Sequence, residues 1–158
     1  MEPSTASRRP QGHSRRRLSI LGVTGSIGQS TMSVIEALGP ARFETVAVTG
    51  NSNVHGIADA ARRLGAEVAV TADPARLDQL RDALGNSGIE AAAGPAALIE
   101  AASRPADWVM SAIVGAAGLK PTLAAVRQGA TIALANKECL VAAGQVFLAE
   151  VAPARATS

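Results

Sequence analysis

Short, nearly continuous apolar runs recur along the chain, separated by longer stretches in which apolar positions return every three or four residues. The first pattern is that of strands covered on both faces, the second that of amphipathic helices. Strands are expected at residues 18–23, 45–49, 67–71, 108–113 and 130–134, with a weaker one near 89–92. Helices are expected at 27–38, 54–64, 74–84, 95–102, 119–127 and 137–151. Gly39, Gly65, Gly85 and Gly129 each follow a helical stretch, where a glycine can take the left-handed C-cap conformation. Regular alternation of the two periods with short connections implies an α/β fold with a doubly wound parallel sheet. Ligands of such sheets lie beyond the carboxyl ends of the strands. Four segments therefore become candidates: 22–28, 50–53, 112–118 and 135–138.

Composition narrows this picture. A chain of 158 residues, 47% apolar and 18% charged, fits one domain with a substantial core. That core must be aliphatic, because there are two Phe, one Trp and no Tyr. So few aromatics argue against a single-strand nucleic-acid platform. The formal charge of +2 is uneven: Arg8, Arg9, Arg15, Arg16 and Arg17 against Glu2 give the first 17 residues +4 and leave −2 for the rest. With Pro3, Pro10 and Gly12, residues 1–17 read as a disordered basic leader. Residues 18–35 carry no charge, and with the arginines before them they resemble an export signal. Ten of those eighteen are Gly, Ser, Thr or Gln, so no apolar core for export or for a membrane span is present. The single cysteine, Cys139, is compatible with a reducing cytoplasm.

The chemistry-bearing feature is Gly22-Val23-Thr24-Gly25-Ser26-Ile27-Gly28, at the first expected strand-to-helix junction. A pyrophosphate needs backbone N–H groups at a helix N-terminus, and residues without Cβ where it approaches the chain. The spacing offers both, and Thr24 and Ser26 add hydroxyl donors. In this context the pattern predicts a Rossmann-like, NAD(P)-binding domain over residues 18–151. The second strand leads into Asn51-Ser52-Asn53 without a carboxylate. An acid at this point would hold a ribose 2′-OH and repel a 2′-phosphate, so neutral Asn51, Ser52 and Asn53 favour NADP over NAD. Asn-Ser-Asn can equally be a polar turn that caps the next helix.

Three stretches taken together resemble one family: the 22–28 turn, Ala112-Ile-Val-Gly-Ala-Ala-Gly118-Leu119 with Pro121-Thr-Leu-Ala-Ala125, and Ala133-Leu-Ala-Asn136-Lys137-Glu138. The family is 1-deoxy-D-xylulose 5-phosphate reductoisomerase. It rearranges and reduces its substrate to 2-C-methyl-D-erythritol 4-phosphate in non-mevalonate isoprenoid biosynthesis. The resemblance, over about residues 18–150, implies that Thr24, Gly25, Ser26 and Ile27 bind the NADPH phosphates. It implies also that Asn51, Ser52 and Asn53 form the 2′-phosphate loop, although a basic residue is common in the family where Ser52 stands. Asn136 and Glu138 match cofactor-contacting positions, and Lys137 matches a lysine that contacts the sugar phosphate substrate.

In the family a divalent metal, Mg or Mn, is held by an Asp-Ser-Glu segment beyond the Asn-Lys-Glu motif. No Asp-Ser-Glu occurs in this sequence, so the metal ligands are expected beyond residue 158. Residues 152–158 then read as a tail that stops before the catalytic part, and the chain alone is expected to be inactive. For the full-length family the resemblance implies a cytoplasmic homodimer that engages neither nucleic acid nor membrane. Two other readings remain open: another NADP-dependent dehydrogenase domain, and a non-catalytic nucleotide-binding module. Trp108, His13, His55 and Cys139 receive no functional assignment.

Overall fold

The structure, a computed structural model, describes residues 15–113 and 116–134. Among these residues six strands form one sheet: β1 Arg16–Leu21, β2 Phe43–Gly50, β3 Val68–Thr71, β4 Glu90–Ala93, β5 Trp108–Ser111 and β6 Thr131–Leu134. Their order is β4-β3-β2-β1-β5-β6, and every neighbouring pair is parallel. Between them run α1 Ser26–Leu38, α2 Val54–Leu64, α3 Leu77–Leu84, α4 Pro95–Ser103 and α5 Leu119–Arg127. This is the doubly wound α/β arrangement that the alternating pattern implies.

Strand side chains alternate between two covered faces. Leu18 and Ile20 of β1 join Val48 and Ala69 in a cluster with α1, α2 and α3, built on Met32, Ile35, Ile57 and Leu80. Leu21 and Val109 point the other way, against Ala102 of α4 and Ala125 of α5. Val46, Val68 and Val70 also meet α4, through Ala101. Because both faces are covered, the central strands read as continuous apolar runs rather than as alternating ones.

Several boundaries differ from the sequence expectation for identifiable reasons. Strand β1 starts at Arg16, inside the segment assigned to the leader. The backbone N–H of Arg17 donates to Asp107, and its guanidinium pairs with Glu44 at 2.8 Å, which extends the strand past its apolar run. The same strand stops at Leu21, because Gly22 turns the chain with a φ of +84°. The expected helix at 74–84 splits into a short 3-10 turn, Pro74–Arg76, and α3. The weak strand near 89–92 is the edge strand β4, paired with β3 from Val68↔Glu90 to Thr71↔Ala93. All four glycines expected to close helices have positive φ; Gly65 lies in the left-handed helical region itself, whereas Gly39 and Gly85 lie outside it. The expected helix at 137–151 and the segment 152–158 lie outside the described residues.

The helices carry their own start signals. Asn53 caps α2, its side-chain oxygen accepting from Gly56 N–H at 3.0 Å, while Pro95 opens α4 where no amide donor is required. At the amino-terminal edge of the sheet, Gln128 receives Ala106 N–H on its side-chain oxygen and donates to Arg104 C=O at 2.7 Å. One side chain thus ties the end of α5 to the connection between α4 and β5.

Neighbouring residues of β1 give opposite expectations for stability. Ile20 is fully buried, so Ile20→Ala should cost about 2–5 kcal/mol in urea denaturation. The Ser19 hydroxyl is buried with no partner among the described residues. Ser19→Ala should therefore stabilise the fold, by about 1 kcal/mol.

Candidate functional site

Strand β1 occupies the switch point of the sheet, with β2 on one side and β5 on the other. The chain leaving β1 enters α1 on one face, and the chain leaving β5 reaches α5 on the other. A crevice must open between them at the carboxyl ends of the strands.

Backbone packing at this point is close enough to dictate residue type. A Cβ at Gly22 would lie 2.9 Å from the carbonyl carbon and oxygen of Ala112, besides requiring a strained φ. The N–H groups of Gly22 and Val23 both donate to Thr49 C=O, at 3.0 and 2.7 Å. A Cβ at Gly28 would fall 2.4 Å from Gly22 O and 2.6 Å from Val23 Cα, so α1 rests directly on the backbone of the turn that precedes it. Gly25 differs: the nearest atom to a Cβ there is Gly22 O, at 3.8 Å, and its φ of −77° suits any residue. Among the described residues nothing requires glycine at 25. A side chain at 25 would stand in open space beside the turn.

Gly25 is the N-cap of α1 and makes no side-chain cap bond. The first helical bond runs from Gln29 N–H to Gly25 C=O at 2.8 Å, so the amides of Ser26, Ile27 and Gly28 precede it without a helical acceptor. The first turn carries no acidic side chain. These amides and the helix dipole together favour an anion at the cleft.

Thr24 connects this turn to the next loop. A Cβ at Gly50 would lie 3.4 Å from Thr24 Oγ1, and one at Gly56 would lie 3.0 Å from Thr24 Cγ2. The two glycines thus receive the threonine side chain, and its hydroxyl sits beside the end of β2. The loop beyond it, Asn51, Ser52 and Asn53, is exposed.

The resulting cleft has a volume of about 280 Å³, near the lower end of the ~300–1,000 Å³ usual for ligand sites. One wall is Gly22, Thr24 and Gly25, and a second is Thr49, Gly50 and Asn51. Ala112, Ile113 and Ala117 close the side toward α5, with Ala72 and Leu98 completing the lining. Of the residues expected from sequence, Thr24, Gly25 and Asn51 therefore meet on the cleft. Ser26 and Ile27 open α1 and are exposed at its first turn; Ser52 and Asn53 continue outward from Asn51. Asn136, Lys137 and Glu138 lie outside the described residues. Ala72 and Leu98 were not expected. Ala72 follows β3 and Leu98 lies in α4; neither stretch carries more than a packing signal in sequence, and only the assembled sheet brings them to the crevice.

No charged side chain is among the described residues that line the cleft. The nearest acid in sequence to Ala72 is Asp73, whose carboxylate accepts from Ala75 N–H and pairs with Arg76 at 3.1 Å. Raised guanidinium pKa values belong to Arg63, through its hydrogen bonds to Glu36 and Asp59, and to Arg104, through its hydrogen bond to Glu100. Both residues lie at the carboxyl-terminal ends of helices antiparallel to the strands, at the opposite edge of the sheet. Among the described residues, no group of three or more His, Cys, Asp or Glu could hold a metal ion. No helix among them is long and apolar enough to cross a membrane.

The two glycines of the turn should respond oppositely to substitution. Gly28→Ala forces a backbone shift and should cost about 1–3 kcal/mol. Gly25→Asp introduces a favoured N-cap residue into open space and should change stability by no more than about 0.5 kcal/mol. Paired thermal and urea denaturation of the two variants checks both expectations.

Comparison with known proteins agrees with this geometry. Residues 18–144 match the family model of 1-deoxy-D-xylulose 5-phosphate reductoisomerase. The reductoisomerase of Sinorhizobium fredii is 64% identical over 140 residues, covering 88% of this chain and 36% of the relative. That of Rhodospirillum centenum is 59% identical over 140 residues, covering 89% of this chain and 35% of the relative. Among solved structures, the Zymomonas mobilis reductoisomerase in complex with NADPH superposes with a TM-score of 0.87 at 51% identity, over 89% of this chain and 37% of that one. A reductoisomerase in complex with NADPH, fosmidomycin and magnesium gives 0.81 at 39% identity, over 87% of this chain and 34% of that one. The chain thus spans about a third of the length of the relatives it matches. By sequence along most of its length and by the course of its backbone, the chain belongs to the 1-deoxy-D-xylulose 5-phosphate reductoisomerase family.

Proposed function

We propose that the cleft at the end of β1 binds NADPH. On this reading the chain contributes the cofactor-binding part of a protein that rearranges and reduces 1-deoxy-D-xylulose 5-phosphate to 2-C-methyl-D-erythritol 4-phosphate. The observation that carries the proposal is Gly25: it lies on the cleft wall at the start of α1, with open space where a side chain would stand. A pyrophosphate there would meet the amides of Ser26, Ile27 and Gly28, as the helix start requires. The neighbouring complex with NADPH, at 51% identity, supports the same ligand for this chain.

Each group has a distinct task in this proposal. Thr24, Gly25, Ser26 and Ile27 hold the pyrophosphate, while Asn51, Ser52 and Asn53 take the 2′-phosphate with neutral donors. Ala112, Ile113 and Leu98 supply apolar wall and exclude water from the bound dinucleotide. Asn136 and Glu138 continue the cofactor site, and Lys137 offers an ammonium to the phosphate of the substrate. When bound, NADPH supplies the hydride for the reductive step. The described residues provide no ligand set for a divalent cation, and nothing in the cofactor proposal passes through one. The wider expectation, a cytoplasmic homodimer acting on a sugar phosphate without nucleic acid or membrane, belongs to the same proposal.

Titration of the purified chain with NADPH and with NADH, followed by nicotinamide fluorescence, tests the cofactor assignment. Saturable binding, tighter for NADPH and abolished in Gly25→Asp, is the expected result, since the added carboxylate occupies and repels the pyrophosphate position. Equal affinity for the two nucleotides, or undiminished binding by the folded variant, would overturn it.

A further inference from the structure

Thr71 is the last residue of β3 and is fully buried. Its hydroxyl donates to the backbone carbonyl of Asn51 and accepts from the N–H of Asp73 at 3.2 Å. The placement follows from the ladder. Gly50 pairs with Thr71, and the last bond between the two strands runs from Ala72 N–H to Gly50 C=O at 2.9 Å. The Asn51 carbonyl is the first to project beyond the ladder, where no strand amide remains to meet it. A side-chain hydroxyl from the adjacent strand takes over that role.

The loop is therefore fixed at both ends. Thr71 holds its head at Asn51. At its tail, Val54 N–H donates to Ser52 C=O at 2.9 Å and Asn53 caps α2. The 22–28 turn touches this loop through Thr24, and it has fastenings of its own in Thr49 C=O and close packing on Ala112. Two fastenings thus serve two parts of one cleft: one the pyrophosphate turn, the other the loop at the end of β2.

We propose that Thr71 is a positioning residue for nucleotide selectivity: its hydroxyl sets the loop of Asn51, Ser52 and Asn53 where it reads the 2′ substituent of the adenosine ribose. This rests on the proposal that the cleft binds NADPH. Loss of the hydroxyl leaves the Asn51 carbonyl and the Asp73 amide without their partner, and the loop must shift to find others. Contacts to a charged phosphate are shorter and about twice as strong as neutral ones, so the displacement weakens NADPH far more than NADH. The pyrophosphate turn, common to both nucleotides, stays in place.

The experiment measures dissociation constants for NADPH and NADH on the full chain and on Thr71→Val and Thr71→Ser. Thr71→Val keeps the shape of the side chain and should weaken NADPH about tenfold while moving NADH by less than about twofold. Thr71→Ser restores the hydroxyl and should return the NADPH to NADH ratio to within about twofold of the parent. A ratio unchanged in a folded Thr71→Val, or an equal loss for both nucleotides, overturns the role assigned to Thr71. If Thr71→Val does not fold, Thr71→Cys, with its weak donor and acceptor, takes its place: a lowered preference for NADPH over NADH supports the role, and an unchanged one overturns it. A parent chain without a preference for NADPH removes the functional reading, and this inference falls with it. A parent that prefers NADPH beside a variant with the same preference removes only the inference.

Discussion

The close approach of Gly22 to the ends of two neighbouring strands is the constraint on which the site depends. Its amide and that of Val23 share the carbonyl of Thr49 on β2, while its Cα lies against the backbone of Ala112 beyond β5. With three strand ends drawn together, no side chain fits at 22. The chain turns there with positive φ, and α1 can begin within a few residues, seated on the turn through Gly28. That short distance aims the first amides of the helix at the crevice. Any residue that pushed Gly22 away from Ala112 would widen the cleft and misdirect the helix in one movement.

Charge is distributed to match. At the amino-terminal edge of the sheet Arg17 meets Glu44 and Glu67, and Arg104 meets Glu90 and Glu100. These exposed or half-exposed pairs add at most about 1 kcal/mol each. The opposite edge keeps the described cleft wall neutral, so that oriented amides and hydroxyls dominate the local field. Such an environment accepts a phosphate without a carboxylate to repel it, and Asp73, the acid in the loop after β3, is committed to Arg76 and to a cap. The ion pairs and the neutral cleft wall thus lie at opposite edges of the same sheet.

The loop at the end of β2 shows how secondary structure and site are coupled. A parallel ladder ends with carbonyls that have no strand partner, and each must be met by water, a side chain or a ligand. Here Thr71 meets Asn51 from β3, and Asn53 turns the following residues into a helix start. The loop that would face a 2′-phosphate is consequently part of the framework rather than an appendage to it.

The sequence by itself determined the kinds of element, their sequence and the location of the glycine turn. Periodicity, helix-ending glycines and Asn53 are local signals, and local signals act within a few residues of where they are written. The resemblance of the 22–28 turn, the 112–125 stretch and Ala133 to Glu138 carried the family, which the comparisons show. Only the tertiary structure decided which strands are neighbours, and therefore that Thr49, Ala72, Leu98 and Ala112 share one cleft. It also decided that β1 begins at Arg16, since the partners that extend it, Asp107 and Glu44, are distant in sequence. Thr71 reads in sequence as one more β-branched strand residue. Its bond to Asn51 spans 20 positions and exists only because β3 lies beside β2, a consequence of packing the whole sheet that no short stretch of chain encodes.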